Sequence, residues 1–381
     1  MLVCEKNKCV GCGACVIVCK KNAIHICDSI EALNAEIDDS KCVHCNMCKN
    51  VCQVKQGVSL SPVRLWKQGW AMDNTIRENS ASGGVATAII KAFISEGGTV
   101  FACHYSIEEQ QFIIDLVNEE DTKFKVPGSK YVKSNAIKAY VKVKEALIAN
   151  KLVLFVGLPC QVYALKNLIP SEIQEKLFTI DLICHGTPSP ILLNKYCEEH
   201  KLFSIRDLKF RAKKKSEVNK KYTPISPVGI ADSYLVSFVK SINYYKSCYE
   251  CKFAGIQRCS DLTLGDSWGS ELSKDEIEKG ISLLLIQSAK GEELISRASL
   301  HLADVNEEKA IEYNAQLRAP EHEPKERQTF LKAVSNGESY EWAVFRSFPI
   351  IMIKQIVKKV LSFFHCYRFK GDAKYKMSVK K

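Results

Sequence analysis

Residues 9–19 read CVGCGACVIVC and residues 42–52 read CVHCNMCKNVC, so the pattern C-x2-C-x2-C-x3-C occurs twice with a period of 33. Three thiols on one tight loop can cap three corners of a 4Fe-4S cube, while the fourth cysteine of each run points away and serves the other cube. The spacing therefore gathers Cys9, Cys12, Cys15 and Cys52 at one centre and Cys42, Cys45, Cys48 and Cys19 at a second. Zinc is the competing occupant, but its sites favour two well-separated cysteine pairs. Gly11 and Gly13 give the first loop backbone freedom beside the cube. Lys20 and Gln53 stand where a proline usually follows the fourth cysteine, which loosens the turn without removing a ligand. Cys4 and Cys27 fall outside the spacing and read as buried thiols.

Outward from these runs, the chain of 381 residues is long enough for two or three domains, and 46% hydrophobic with 25% charged residues is ordinary for a globular protein. Ten of its 18 cysteines lie in the first 52 residues. With no charged-then-apolar leader before them, a reducing, cytoplasmic setting and metal ligation are expected rather than disulfides. The net charge of +11 is concentrated after residue 345, where ten Lys and Arg face one acid, Asp372. The remainder is nearly neutral, which argues against a nucleic-acid binder. No apolar run is long enough to span a membrane.

The periodicity places short strands at 23–26 and 35–37, a linker at 57–61, and a domain boundary at Pro62. Beyond it, helices are expected at 82–94, 137–149, 161–168 and 292–300. Strands are expected at 98–103, 112–117, 152–156, 178–184, 234–239, 261–264 and 281–287. Apolar runs ending at Gly157 and at His185-Gly186, with a helix between them, indicate a buried α/β sheet. The fold expected is thus α+β and α/β: a bacterial-ferredoxin-like domain (1–57), a mixed-sheet domain (62–340) and a basic amphipathic tail (341–381).

Cys160 and Cys184 each follow a sheet strand, at the edge where ligands collect in α/β folds, and Cys248 and Cys251 form a C-x2-C pair. Four such thiols could converge on a third cluster; spacing alone leaves buried structural cysteines equally open. The blocks ASGG (81–84), GSKYV (128–132), GLPCQVYALK (157–166), DLICHGTPSP (181–190), CYEC (248–251) and RCSDLTLGDSWG (258–269) closely resemble the flavoprotein beta subunit of coenzyme F-420 hydrogenase and dehydrogenase. The resemblance runs over residues 66–300. It implies FAD beside a 4Fe-4S cluster held by Cys160, Cys184, Cys248 and Cys251, with Cys259 as the alternative fourth ligand. Cys103, Cys197 and Cys366 match no motif.

Under that resemblance, Ser82, Gly83 and Gly84, opening a helix, would offer N–H groups to a pyrophosphate. Lys130 would neutralise phosphate or sit at the reducible end of the flavin, and Tyr131 would stack. His185 would donate to flavin or cluster, so Lys130 and His185 are the candidate catalytic residues. The bland alternatives are a tight turn at 82–84, a surface pair at 130–131 and a structural hydrogen bond at His185. Asp266 and Trp268 read as turn formers. Neither G-x-G-x-x-G after a strand nor a nucleotide-hydrolysing P-loop is present, which disfavours a Rossmann nicotinamide site.

Two basic features remain. Lys213, Lys214, Lys215, Lys220 and Lys221 share a loop that could receive an acidic coenzyme or redox partner, a solvated loop being the default. Residues 350–366 are amphipathic, with apolar positions 350, 353, 357, 360, 361 and 364 opposite polar 354, 355, 358, 359, 362 and 365. That helix suits either packing on the body or contact with a partner or the inner membrane face. The function expected is an iron–sulfur flavoprotein oxidoreductase exchanging electrons with a redox protein or hydride-carrying coenzyme. The alternatives are a relay subunit without catalysis in a larger complex, and a structural iron–sulfur scaffold.

Overall fold

A computed structural model of the chain describes residues 1–202, 208, 210, 211, 230–364 and 366. The lysine loop at 213–221 and most of the chain after Phe364 lie outside the described residues. Ten strands occur in chain order: β1 Ile24–Asp28, β2 Leu33–Ile37, β3 Leu65–Ala71, β4 Thr99–Ser106, β5 Gln111–Val117, β6 Val153–Val156, β7 Leu177–Leu182, β8 Leu262–Asp266, β9 Ser282–Ile286 and β10 Leu300–Ala303.

β1 and β2 form an antiparallel ribbon from Ile24 opposite Ile37 to Asp28 opposite Leu33, between the two cysteine runs. The remaining strands make one mixed sheet, ordered β10-β3-β9-β8-β7-β6-β4-β5. β4, β6, β7 and β8 run parallel, and antiparallel strands close both flanks. Helices cover both faces, so its central strands are buried: β6 and β9 are almost wholly apolar, while β7 and β8 also bury Thr179, Asp181 and Thr263. Ile137–Ile148 and Pro159–Leu168 pack on one face; Val85–Ser95 and Ala289–Arg297 pack on the other. Pro190–Glu199, Ser233–Val239, Glu326–Ser335 and Tyr340–Ser347 form a further aromatic-rich layer.

The N-terminal unit is built into this body. Cys12 and Ala14 share a core with Phe101, Tyr140, Phe155 and Val162. Gly13, at φ 80°, opens the helix Ala14–Val18, and a Cβ there would strike Ile137. The linker also lies on the body, where Ser61 and Arg258 exchange backbone hydrogen bonds of 2.7 and 2.9 Å. Arg327, fully buried, clamps the ribbon turn by donating to the carbonyl (3.0 Å) and carboxylate (3.2 Å) of Glu31, to Glu323 (3.0 Å) and to the Tyr244 carbonyl (3.1 Å). Asp28 accepts from Ser189 Oγ (2.7 Å) and Tyr245 OH (2.5 Å), adding a second tie.

Three expectations need correction. Residues 234–239 are helical, not a strand: Asp232 caps Ser233–Val239 through Leu235 N, and burial from Ser233 to Phe238 erases the amphipathic period that would mark a helix. The helix expected to reach residue 300 ends at Arg297, and β10 begins at Leu300. Cys27 is exposed rather than buried, since β1 turns its alternate residues outward.

Candidate functional site

The two cysteine loops share one backbone plan. Gly11 N donates to Cys9 Sγ at 3.3 Å, and 33 residues later His44 N donates to Cys42 Sγ at 3.4 Å. Left-handed backbone recurs at the same offset, with Gly11 and Gly13 in the first loop and His44 and Asn46 in the second. Burial separates the centres. Cys9, Cys12, Cys15 and Cys52 are buried, whereas Cys19, Cys42 and Cys48 are partly exposed and Cys45 is open to solvent beside exposed Val43 and Met47. Cys4, the remaining buried thiol here, is pushed above its ordinary pKa by the neighbouring sulfurs of Cys52 and Cys9 and by burial.

A cavity of about 340 Å³ lies between the inner loop and the body. Cys160, Cys184, Cys248 and Cys251 all line it, together with Val10, Gln53 and Lys133. Cys160 arrives in the first turn of Pro159–Leu168, directly after β6, and Cys184 two residues after β7. Cys248 and Cys251 come from a short 3-10 turn, Lys246–Glu250, and the residue that ends it. Burial pushes the thiols of Cys184, Cys248 and Cys251 up, and facing sulfurs raise each further. Four sulfurs lining one cavity are a donor set that bound cations would compensate. Among the described residues, no group of three or more His, Cys, Asp or Glu side chains is already closed up around a single metal ion. Cys259 does not line the cavity; it is buried and donates to the Pro159 carbonyl at 3.4 Å and to Asp181 at 3.6 Å.

Two residues of this cavity carry weight the sequence reading missed. Lys133 is buried, and its Nζ donates to Cys160 Sγ at 3.4 Å. Burial lowers its ammonium pKa, but the sulfurs of Cys160 and Cys248 outweigh that effect and hold it above its ordinary value. Gln53, which occupies the usual proline position, donates from Nε2 to the Cys160 carbonyl at 2.9 Å. Proline has no side-chain donor for that bond, so the departure couples the inner loop to the second cavity wall.

A second cavity, about 300 Å³, opens on the other side of the loop after β7. Leu158, Cys184, His185, Gly186 and Thr187 line both cavities, making that loop a common wall. Ser82, Gly84, Lys130 and Tyr131 also line the second cavity. Gly84, at φ 83°, precedes Val85–Ser95, whose N-terminus has no side-chain cap. Gly83 does not present a free N–H as expected: it donates to Ser282 Oγ at 3.0 Å, and a Cβ there would strike the Gly69 carbonyl. Ser82 Oγ donates to the Ile281 carbonyl at 2.7 Å. The uncapped helix start, the close-packed glycines and the largely apolar lining fit a pyrophosphate-bearing aromatic cofactor.

Lys130 and Tyr131 are not a surface pair. The Lys130 ammonium donates to the carbonyls of Val126, Pro127 and Gly128, and burial brings its pKa down to about 8 against the opposing pull of Cys103. Tyr131 stacks on Phe238 with ring centroids 4.2 Å apart. Arg211, ion-paired to Asp266 at 2.5 Å, and Trp268 complete the wall at the end of β8, so Asp266 and Trp268 do more than shape a turn.

Residues 8–56 match the 4Fe-4S dicluster domain, and residues 150–311 match the family described as the C terminus of the beta subunit of coenzyme F420 hydrogenase/dehydrogenase. The second match contains Cys160, Cys184, Cys248 and Cys251; Ser82–Gly84, Lys130 and Tyr131 lie outside it. The F subunit of the F(420)H(2) dehydrogenase of Methanosarcina mazei is 26% identical over 298 residues, 72% of this chain and 81% of that protein. A chain of the F420-reducing NiFe hydrogenase complex from Methanosarcina barkeri aligns with a TM-score of 0.46 and 21% identity, over 64% of this chain and 83% of its own. The chain thus matches, in order, a 4Fe-4S dicluster domain and the C terminus of the beta subunit of coenzyme F420 hydrogenase/dehydrogenase, the two matches lying at residues 8–56 and 150–311.

Proposed function

We propose that this chain is an iron–sulfur flavoprotein oxidoreductase that exchanges single electrons with a protein partner at one end and a hydride equivalent with a soluble carrier or reducible substrate at the other. Cys9, Cys12, Cys15 and Cys52 would hold an inner 4Fe-4S cluster, and Cys19, Cys42, Cys45 and Cys48 an outer one. Cys160, Cys184, Cys248 and Cys251 would hold a third cluster, and FAD would occupy the cavity bordered by Ser82–Gly84, Lys130 and Tyr131. When bound, such cubes carry one electron each and a flavin converts between one-electron and two-electron traffic.

The residues around these sites have separable tasks. Cys45, with Val43 and Met47 exposed beside it, offers the outer contact for a one-electron partner. Lys133 holds positive charge against Cys160, and Gln53 fixes the distance between the inner loop and that cysteine. The second cavity is lined largely by apolar groups, and Lys130, with its pKa brought down to about 8, sets a proton donor in its wall. His185 lies in the wall between the two cavities, suited to orienting a group on either side.

The observation that carries this reading is the common wall at Leu158 and Cys184–Thr187, which sets the cavity ringed by four sulfurs directly beside the second cavity. That second cavity favours an enzyme over a relay subunit, which would need no chamber for a two-electron partner. The curated relative is part of a dehydrogenase, which supports work within a larger assembly. Oxygen-sensitive centres on a cysteine-rich chain suit the reducing cytoplasm. Iron, sulfide and flavin analysis of anaerobically purified protein tests the assignment, with about twelve iron and one FAD per chain expected. Full iron without flavin, and no dye reduction by any two-electron donor, would favour the relay.

A further inference from the structure

The helix Pro349–Phe363 inverts the usual arrangement of an amphipathic element. The side facing the body is held by buried Met352, by Ile351 against the aromatic layer, and by Gln355 Oε1 accepting from Ala231 N at 2.9 Å. The apolar stripe faces out. At 3.6 residues per turn, Ile350, Ile353, Val357, Val360, Leu361 and Phe364 fall within a sector of about 100°. All six are 40–68% exposed. Packing on the body therefore does not account for this face, and a contiguous apolar patch of this kind marks an interaction surface.

We infer that this helix lies flat on an anionic lipid bilayer, with its apolar stripe in the acyl boundary and its cations at the headgroups. Lys354 and Lys358 run along one edge of the stripe, on the geometry of the helix. After Phe364 the chain adds six more Lys and Arg against the single acid Asp372, interleaved with Tyr367, Phe369 and Tyr375. Nine Lys and Arg against one acid between 354 and 381 put a dense positive charge beside the exposed apolar stripe. Apolar residues on one face with cations at its edge are the arrangement by which a helix lies in an anionic membrane surface. A second copy of the chain would bring an equal excess of positive charge against this one. Among the described residues no helix is long and apolar enough to cross a membrane, so the contact is peripheral.

The test is flotation of the full-length, cofactor-loaded protein with vesicles of phosphatidylcholine alone or of phosphatidylcholine and phosphatidylglycerol in equal parts. Binding about tenfold stronger to the anionic vesicles, and weakened by salt, is expected. Ile353→Glu with Val357→Glu, both at exposed positions, should reduce partitioning by about a hundredfold while iron content and helicity hold. Lys354→Gln with Lys358→Gln should reduce it by about tenfold and flatten the salt dependence. Equal binding to both vesicle types, no binding, or binding indifferent to the Ile353/Val357 pair overturns the proposal. So does a sedimentation result in which that pair dissociates a dimer or releases a bound acidic protein.

Discussion

Replacing Lys133 by methionine removes a buried positive charge held 3.4 Å from Cys160 Sγ. At an effective dielectric of about 20, two full charges at that separation interact by about 5 kcal/mol. An electron added to a four-iron centre is shared among four ligated corners, so roughly a quarter of that energy, about 1.2 kcal/mol, is felt at this sulfur. For a one-electron couple, where tenfold corresponds to 59 mV, the third cluster should become harder to reduce by about 50 mV. Anaerobic redox titration followed by electron paramagnetic resonance reads the shift. Lys133→Arg keeps the charge and should stay near the wild-type potential. Iron analysis of each variant separates a changed potential from a lost cluster. A methionine variant with full iron and an unmoved potential refutes the electrostatic role assigned to this lysine.

Cys184→Ser should lower iron from about twelve to about eight per chain, whereas Cys259→Ser should leave it unchanged, because only the first of these residues lines the sulfur-ringed cavity. Flavin reduction by a two-electron donor should slow as pH rises through about 8, since the Lys130 ammonium carries its proton below that value and loses it above. Lys130→Arg should erase that inflection, and an unchanged profile would remove Lys130 from the chemistry. Arg327→Met leaves Glu31, Glu323 and the Tyr244 carbonyl without their shared donor. It should cost about 2–3 kcal/mol in urea unfolding. It should also speed tryptic cleavage at Lys55 and Arg64, the exposed basic residues flanking the linker.

The parts of the fold legible in the sequence are those whose signal is local. The cysteine runs declare themselves because a loop around a cube fixes the spacing of its own ligands, and β6 and β9 do so because strands covered on both faces become nearly unbroken apolar runs. Cys160, Cys184 and the Cys248/Cys251 pair sit far apart in the chain; strand edges left their meeting an even choice, and the family resemblance favoured the common cavity. Ser233–Val239 was misread because a helix buried on all sides has no polar face to set its period. Lys133 gave no local sign, since its partner lies 27 residues away. Gln53 did leave a trace, a glutamine where proline is customary, whose meaning required the Cys160 carbonyl beside it. The carbonyls that engage Lys130 belong to its own preceding turn, a conformation that the surrounding GSKYV motif does not dictate.

The loop from Cys184 to Thr187 has an evolutionary consequence. This stretch of backbone, with Leu158 from the loop after β6, is shared by both chambers, so a substitution within it that retunes one also alters the other. A Cβ on Gly186 would strike the Tyr244 ring, which narrows the admissible changes still further. Descendants of this protein adapting to a new reductant would therefore be expected to vary the far rim of the second chamber, around Arg211 and Trp268, while leaving the partition untouched.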